Sequence, residues 1–205
     1  MTPINLTRRM ALMGAIASLG GCSAVSALNS ASKPLDTYDL APVVGSRGGA
    51  RSSRTLLVVR PEASAAIATD RIMVKPDAVS ITYLPDARWS DEAPLVLQSL
   101  LIRSISGTGR IGYVGRSDGG PIPDTALLVR MDAFHVNVLP DGTMAVAVDI
   151  ALTVLNDRDQ RVIATRSFAQ STAAAGDSPA AIVAAFQAVL DALLPGMADW
   201  VLTHV

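Results

Sequence analysis

The chain has 205 residues, with 17 basic and 18 acidic side chains; half of the residues are hydrophobic and only 4% are aromatic. That length suits one domain with a sizeable core, and a near-neutral charge with scattered arginines offers no basic face for nucleic acid. A single cysteine excludes a disulfide within the chain, so stability has to come from burial.

At the N-terminus Arg8 and Arg9 precede an apolar run, Met10 to Leu19, which closes on Leu19-Gly20-Gly21-Cys22. A basic n-region, a short apolar h-region and two narrow residues ahead of the only cysteine make a lipoprotein signal. The cut is expected between Gly21 and Cys22, and the Cys22 thiol is the expected site of lipidation. The apolar run is about ten residues, half of what a membrane-spanning helix needs. One acyl chain binds a membrane marginally and two or more hold firmly, so a lipidated Cys22 tethers the protein without embedding it. Ser23, where an Asp would retain the protein at the inner membrane, points to the periplasmic face of the outer membrane of a diderm envelope. Thr7-Arg8-Arg9 leaves general and twin-arginine export both open. The expected organisation is a signal peptide over residues 1–21, a lipidated N-terminus and flexible Ser/Ala-rich tether over 22–36, and one domain over 37–205.

Within that domain a short strand is expected at Thr37–Leu40, followed by a Gly/Ser/Arg-rich loop over 45–53. Leu56–Arg60 reads as a strand covered on both faces. A helical turn over 63–68 leads to strands at Arg71–Lys75 and Ala78–Tyr83. Ser90 or Asp91 is the expected cap of a helix that holds Pro94 in its first turn, carries Leu97, Leu100, Leu101 and Ile105 on one side and stops at Gly107. Ile111–Val114 is a strand, and Gly119 to Pro123 a loop. The plainest β signal is a hairpin, Ala126–Val138 and Thr143–Leu155 around Pro140-Asp141-Gly142. In its second arm Met144, Val146, Val148, Ile150, Leu152 and Val154 alternate with smaller or polar residues, which fixes the register. Asn156–Asp159 turns the chain into a third antiparallel strand, Arg161–Gln170. Ser178-Pro179 starts a helix with Ile182, Phe186, Val189, Leu190 and Leu193 in one stripe, which Pro195-Gly196 should kink or break. The pattern predicts an α/β fold, a mixed sheet with an antiparallel meander and helices packed on it.

Two motifs resemble catalytic signatures, and neither has the required setting. Gly107-Thr108-Gly109-Arg110-Ile111-Gly112 spells a dinucleotide fingerprint but runs from helix into strand, whereas phosphate binding needs a strand leading into a helix N-terminus. Gly115-Arg116-Ser117-Asp118-Gly119 spells a nucleophile elbow, yet a Gly/Pro loop follows where a helix is needed. Only His135 and His204 could activate Ser117, one in a strand pattern and the other at the chain end. No cluster has metal-ligand spacing, and no cofactor or metal site is expected.

Tyr38-Asp39-Leu40, Leu56 to Pro61, the run Ile81-Thr82-Tyr83-Leu84-Pro85-Asp86-Ala87-Arg88-Trp89 and a last helix ending Trp200-Val201 resemble the ABC-type transport auxiliary lipoproteins, the group that includes paraquat-inducible protein C. The resemblance spans about residues 37–203. It implies a fold similar to the N-terminal domain of the Tol-system periplasmic protein and a non-enzymatic role. The implied partner is a mammalian-cell-entry (MCE) protein of an ABC system that moves lipids between two membranes. The Gly/Arg-rich segment 45–54 and the loop 119–123 depart from the family pattern.

Tyr83, Arg88 and Trp89 are the candidate interface residues, being of the types that dominate binding energy when partly exposed. The same Trp89 equally fits a packing role over the helix start. An alanine-rich side of the last helix, Ala181, Ala184, Ala185, Ala188 and Ala192, suits a close helix neighbour or plain helix propensity. A homo-oligomer is expected with the family resemblance. Two further functions stay open: an envelope-structural lipoprotein that meets peptidoglycan or Tol-type components, and a lipid esterase built on Ser117.

Overall fold

Nine strands and two helices order residues 34–205, the part of the chain that the computed structural model describes. In sequence they are β1 (Asp36–Tyr38), β2 (Ser52–Val58), β3 (Glu62–Ala63), β4 (Arg71–Lys75), β5 (Thr82–Trp89), α1 (Ala93–Ser106), β6 (Ile111–Arg116), β7 (Thr125–Val138), β8 (Met144–Asn156), β9 (Val162–Ala173) and α2 (Pro179–Leu202). The signal segment, Gly21 and Cys22, and the tether up to residue 33 lie outside the described residues. Residues 36–205 form one compact unit.

All strands belong to one mixed sheet built around the 14-residue β7. One edge of β7 pairs antiparallel with β8 along its whole length, from Thr125↔Asn156 to Val138↔Met144, and β9 continues the meander. Its other edge is shared in turn by three short parallel strands: β2 at Leu56↔Thr125, β3 at Glu62↔Arg130 and β4 at Val74↔Val136. β6 extends this side beyond β2, and β5 and β1 extend it beyond β4. The α/β architecture with its antiparallel meander therefore stands as expected.

Both helices cover the same face of the sheet and pack on each other. Leu97, Leu100, Leu101 and Ile105 of α1 and Ile182, Phe186, Val189 and Leu190 of α2 are fully buried against Leu127, Val148, Ile150 and Leu152. Trp89, Phe134 and Phe186 meet in an aromatic cluster, with ring centroids 4.9 to 5.8 Å apart and Trp89 edge-on to Phe186. α2 is long and apolar enough to cross a bilayer, but its apolar stripe is already packed in this core.

Residues 39–46 run as a strap over the helix layer. The Gln187 amide donates to the carbonyl of Ala41 at 3.0 Å and accepts its N–H at 2.8 Å, standing in for a neighbouring strand. Asp199 accepts the N–H of Ser46 at 2.8 Å and pairs with Arg110 at 3.3 Å. A side chain at Gly45 would place its Cβ 2.9 Å from that of Ala198, so only glycine allows the strap to lie this close.

Four local expectations are corrected. Ala78–Ile81 is a loop, since the Asp77 carboxylate takes the N–H groups of Val79 and Ser80, and the strand begins at Thr82. The cap of α1 is Glu92 without a side-chain bond; Ser90 donates instead to Asp39, and Ala93 N–H to the carbonyl of Thr69. The helical turn is confined to Ser64–Ala68, with Ala63 already in β3. Helix α2 continues through Pro195: the ring removes one donor, and Leu194, Met197, Ala198 and Val201 carry the buried stripe past it. Its start is as read, with Ser178 accepting the Ala181 N–H ahead of Pro179.

Trp89→Ala is expected to cost about 3–5 kcal/mol in urea unfolding, because it opens a cavity among rings that cannot close on it. Gln187→Ala should cost about 1–2 kcal/mol by releasing the strap at Ala41.

Candidate docking interface

The residues singled out for recognition lie on β5, and a bulge decides which way each points. β5 pairs with β4 at Met73↔Tyr83 and again at Arg71↔Arg88, so it carries extra residues between those pairs, with Pro85 and the left-handed Asp86 (φ 56°) among them. A ladder that omits hydrogen bonds here tolerates proline, and Asp tolerates the positive φ. Beyond the bulge Ala87 and Trp89 turn into the core and Arg88 turns out. Trp89 is 2% exposed. The expectation of a partly exposed Trp89 is thereby corrected: its ring is enclosed by Phe134 and Phe186, and it offers no contact surface.

Tyr83 and Arg88 share the sheet face opposite the helices. Arg88 is exposed; its Nε donates to Thr37 Oγ1 at 3.1 Å and its Nη1 lies 3.7 Å from the Asp70 carboxylate, tying β1 to the turn before β4. Tyr83 is half-buried and donates its hydroxyl to the carbonyl of Ala66 at 3.4 Å. The Arg71 guanidinium sits 6.0 Å from the Tyr83 ring centroid and donates through Nη2 to the carbonyl of Leu84 at 3.2 Å, while its buried Nε has no hydrogen-bond partner. Arg71 was not legible as a site residue, because a charged residue opening a strand looks like ordinary edge polarity.

Further along this open face β8 and β9 present mostly small residues, among them Ala147, Ala151, Ala169 and Ala173. His135 stands opposite Ala147 and Asp149 opposite Ala133, which makes the two diagonal neighbours. His135 Nδ1 and Asp149 Oδ1 are buried without hydrogen-bond partners. Burial, with Lys75 nearby, pushes the His135 imidazole below its ordinary value. A groove of about 200 Å³ opens beside β3 over Leu128, Ala151 and Thr153, rimmed by Arg60, Glu62 and Arg130. Arg130 clamps Asp132 through two bonds of 2.8 and 2.9 Å and holds that carboxyl below the usual range.

The catalytic-looking motifs take the positions their context suggested. Ser117 follows β6 in a turn, its N–H bonded to the carbonyl of Val58 at 3.2 Å, and the chain continues as a loop to Asp124. Gly112 belongs to the sheet: a Cβ there would meet the Ser53 carbonyl oxygen at 2.6 Å, so its bareness serves strand packing. Among the described residues no group of His, Cys, Asp or Glu could hold a metal ion.

The lowered His135 sets a pH dependence. The unfolded chain takes up this proton near the ordinary value of 6.5 while the folded chain resists it, so stability is full above that pH and declines as pH falls below it. His135→Gln should flatten the decline between pH 6.5 and 5 in thermal unfolding. Arg88→Ala should change stability by less than about 1 kcal/mol, as an exposed ion pair does.

The geometry has parallels among solved structures. The crystal structure of protein XCC0632 from Xanthomonas campestris is 25% identical with a TM-score of 0.75, covering 82% of this chain and 96% of that one. An uncharacterized protein is 16% identical with a TM-score of 0.63 over 82% of this chain and 99% of its own. Hypothetical protein CT253 from Chlamydia trachomatis, at 8% identity, shares the fold with a TM-score of 0.50 over 74% of this chain and 97% of its own. No curated protein matches the chain. The model of the ABC-type transport auxiliary lipoprotein component matches residues 38–198. Because that match runs from β1 into the last turns of α2, the chain belongs to the family of ABC-type transport auxiliary lipoproteins.

Proposed function

We propose that this protein is a non-enzymatic docking component of an ABC transport system, anchored through Cys22 to the outer membrane and bound to an MCE-family protein in lipid transport between membranes. The observation that carries the proposal is the family match over residues 38–198, nearly the whole folded unit. The open face of the sheet supports it: with both helices on the other side, the exposed Arg88 and Arg130 and the partly buried Tyr83 and Arg71 lie on the face left for a protein partner. The Leu-Gly-Gly-Cys segment supports the anchor. Self-association fits the same role, since β9 pairs with β8 alone and leaves its outer edge open among the described residues.

Crosslinkers placed at Tyr83 and Arg88 should capture the MCE protein in intact envelopes, while one on the opposite face at Gln187 should not. Recovery of peptidoglycan or Tol components without an MCE protein would replace the transport role with a structural one. Cys22→Ala should abolish palmitate labelling and signal removal; unchanged labelling would refute the anchor. Ser117→Ala should leave lipid transport intact, and loss of function there would restore the esterase alternative. Sedimentation of the full chain in detergent should show a species heavier than a monomer.

A further inference from the structure

Large exposed apolar side chains concentrate at the ends of the sheet. At the C-terminal end of β7 the loop 76–81 carries Val79, 91% exposed, and Ile81, 50% exposed, and the β7–β8 turn carries Leu139, 40% exposed. The two loops are neighbours, because β4 and β7 run side by side at Val74↔Val136 and Lys75↔Asn137, and Pro76, Ala78, Leu139 and Pro140 line one cleft. Both are internally bonded. Asp77 accepts the N–H groups of Val79 and Ser80 at 2.9 and 2.8 Å, and Asp141 accepts that of Thr143 at 2.9 Å. Backbone donors satisfied within the loop, with aliphatic side chains turned outward, suit shallow immersion at a lipid–water boundary.

The direction of β1 names what covers this end. β1 runs parallel to β5, with Asp36↔Ala87 and Tyr38↔Trp89, and β5 begins directly after the loop 76–81. The chain therefore comes to Asp36 from the side of that loop. Thirteen residues, 23–35, separate Cys22 from Asp36, so the covalent chain bounds the distance between them at about 45 Å. Entry from this side favours the Val79 end as the one turned to the membrane that holds a lipidated Cys22.

We infer that the loop 76–81, together with Leu139, rests in the headgroup layer of the same membrane that holds Cys22; this builds on the anchor proposed above. Lys75, Asp77 and Asp141 are the charged groups of the two loops, so they add no net attraction to anionic lipid. The anchor supplies the affinity, and the loops decide which end of the sheet faces the bilayer.

The test uses the full lipidated chain in phosphatidylethanolamine/phosphatidylglycerol vesicles, with an environment-sensitive label introduced by Val79→Cys or, as a control, by Ile122→Cys. Ile122 is as exposed, at 92%, and lies in the loop that leads to the other end of β7. Quencher-bearing lipids should quench the label at position 79 about fivefold more than the label at 122. Equal quenching in protein that floats with the vesicles overturns the inference and leaves the anchor standing. Protection at 79 that arises only on adding the MCE protein assigns the loop to a protein partner and likewise overturns it. If the wild-type chain does not float, the anchor fails, and the inference that builds on it fails with it.

Discussion

A single unpaired residue, Asp132, keeps the two halves of β7 working as one strand. Up to Met131 the odd positions Leu127, Val129 and Met131 face the helices; beyond the bulge the even positions Phe134 and Val136 do. Without the extra residue the pleat would carry Phe134 to the open face and remove it from Trp89 and Phe186. The Arg130 clamp on Asp132 sits on the outside of this step, where a charged pair can stay hydrated. The aromatic cluster, and with it the seat of α2, follows from that one insertion.

Because β7 is long and its partners on one side are short, three separate segments share its edge. The chain runs up that edge through β2, β3 and β4, and each link has to begin where the last left off. Both helices take one face, and the other is left with small residues on β8 and β9 and with arginines on the remaining strands. The β5 bulge repeats the logic of Asp132 on a smaller scale, sending Trp89 inward and leaving Tyr83 and Arg88 on the surface.

Long periodic elements were legible in the sequence for a physical reason: the hairpin and the α2 stripe repeat their buried positions many times, so any other register exposes several of them at once. The Ser178-Pro179 start was legible because a side-chain cap and a first-turn proline are local devices. What escaped was non-local. Pro85 looks like the end of a strand until the bulge beside Arg71 removes the need for its N–H. Pro195 looks like a helix breaker until the burial of Met197 and Val201 outweighs one lost bond. Trp89 was ambiguous because its neighbours alternate in and out across a bulge whose position depends on β4. The same run, Tyr83 to Trp89, carried the family resemblance, and its unusual sequence is the signature of that bulge.

The two ends of β7 differ in charge: the loop tips with Val79, Ile81 and Leu139 lie beyond its C-terminal end, whereas the opposite end sets Arg54, Asp124, Arg158 and Asp159 around one polar cleft beside the exposed Ile122 and Val162. A protein held at the apolar end by lipid would lift this charged end about 45 Å from the bilayer, the length of β7 itself. The open face with Tyr83, Arg71 and Arg88 would then stand along the membrane normal, presented sideways to a partner that reaches the membrane. A rigid sheet suits that task better than a loop-built site, because a docking surface on paired strands keeps its height and orientation without paying to order itself on each encounter.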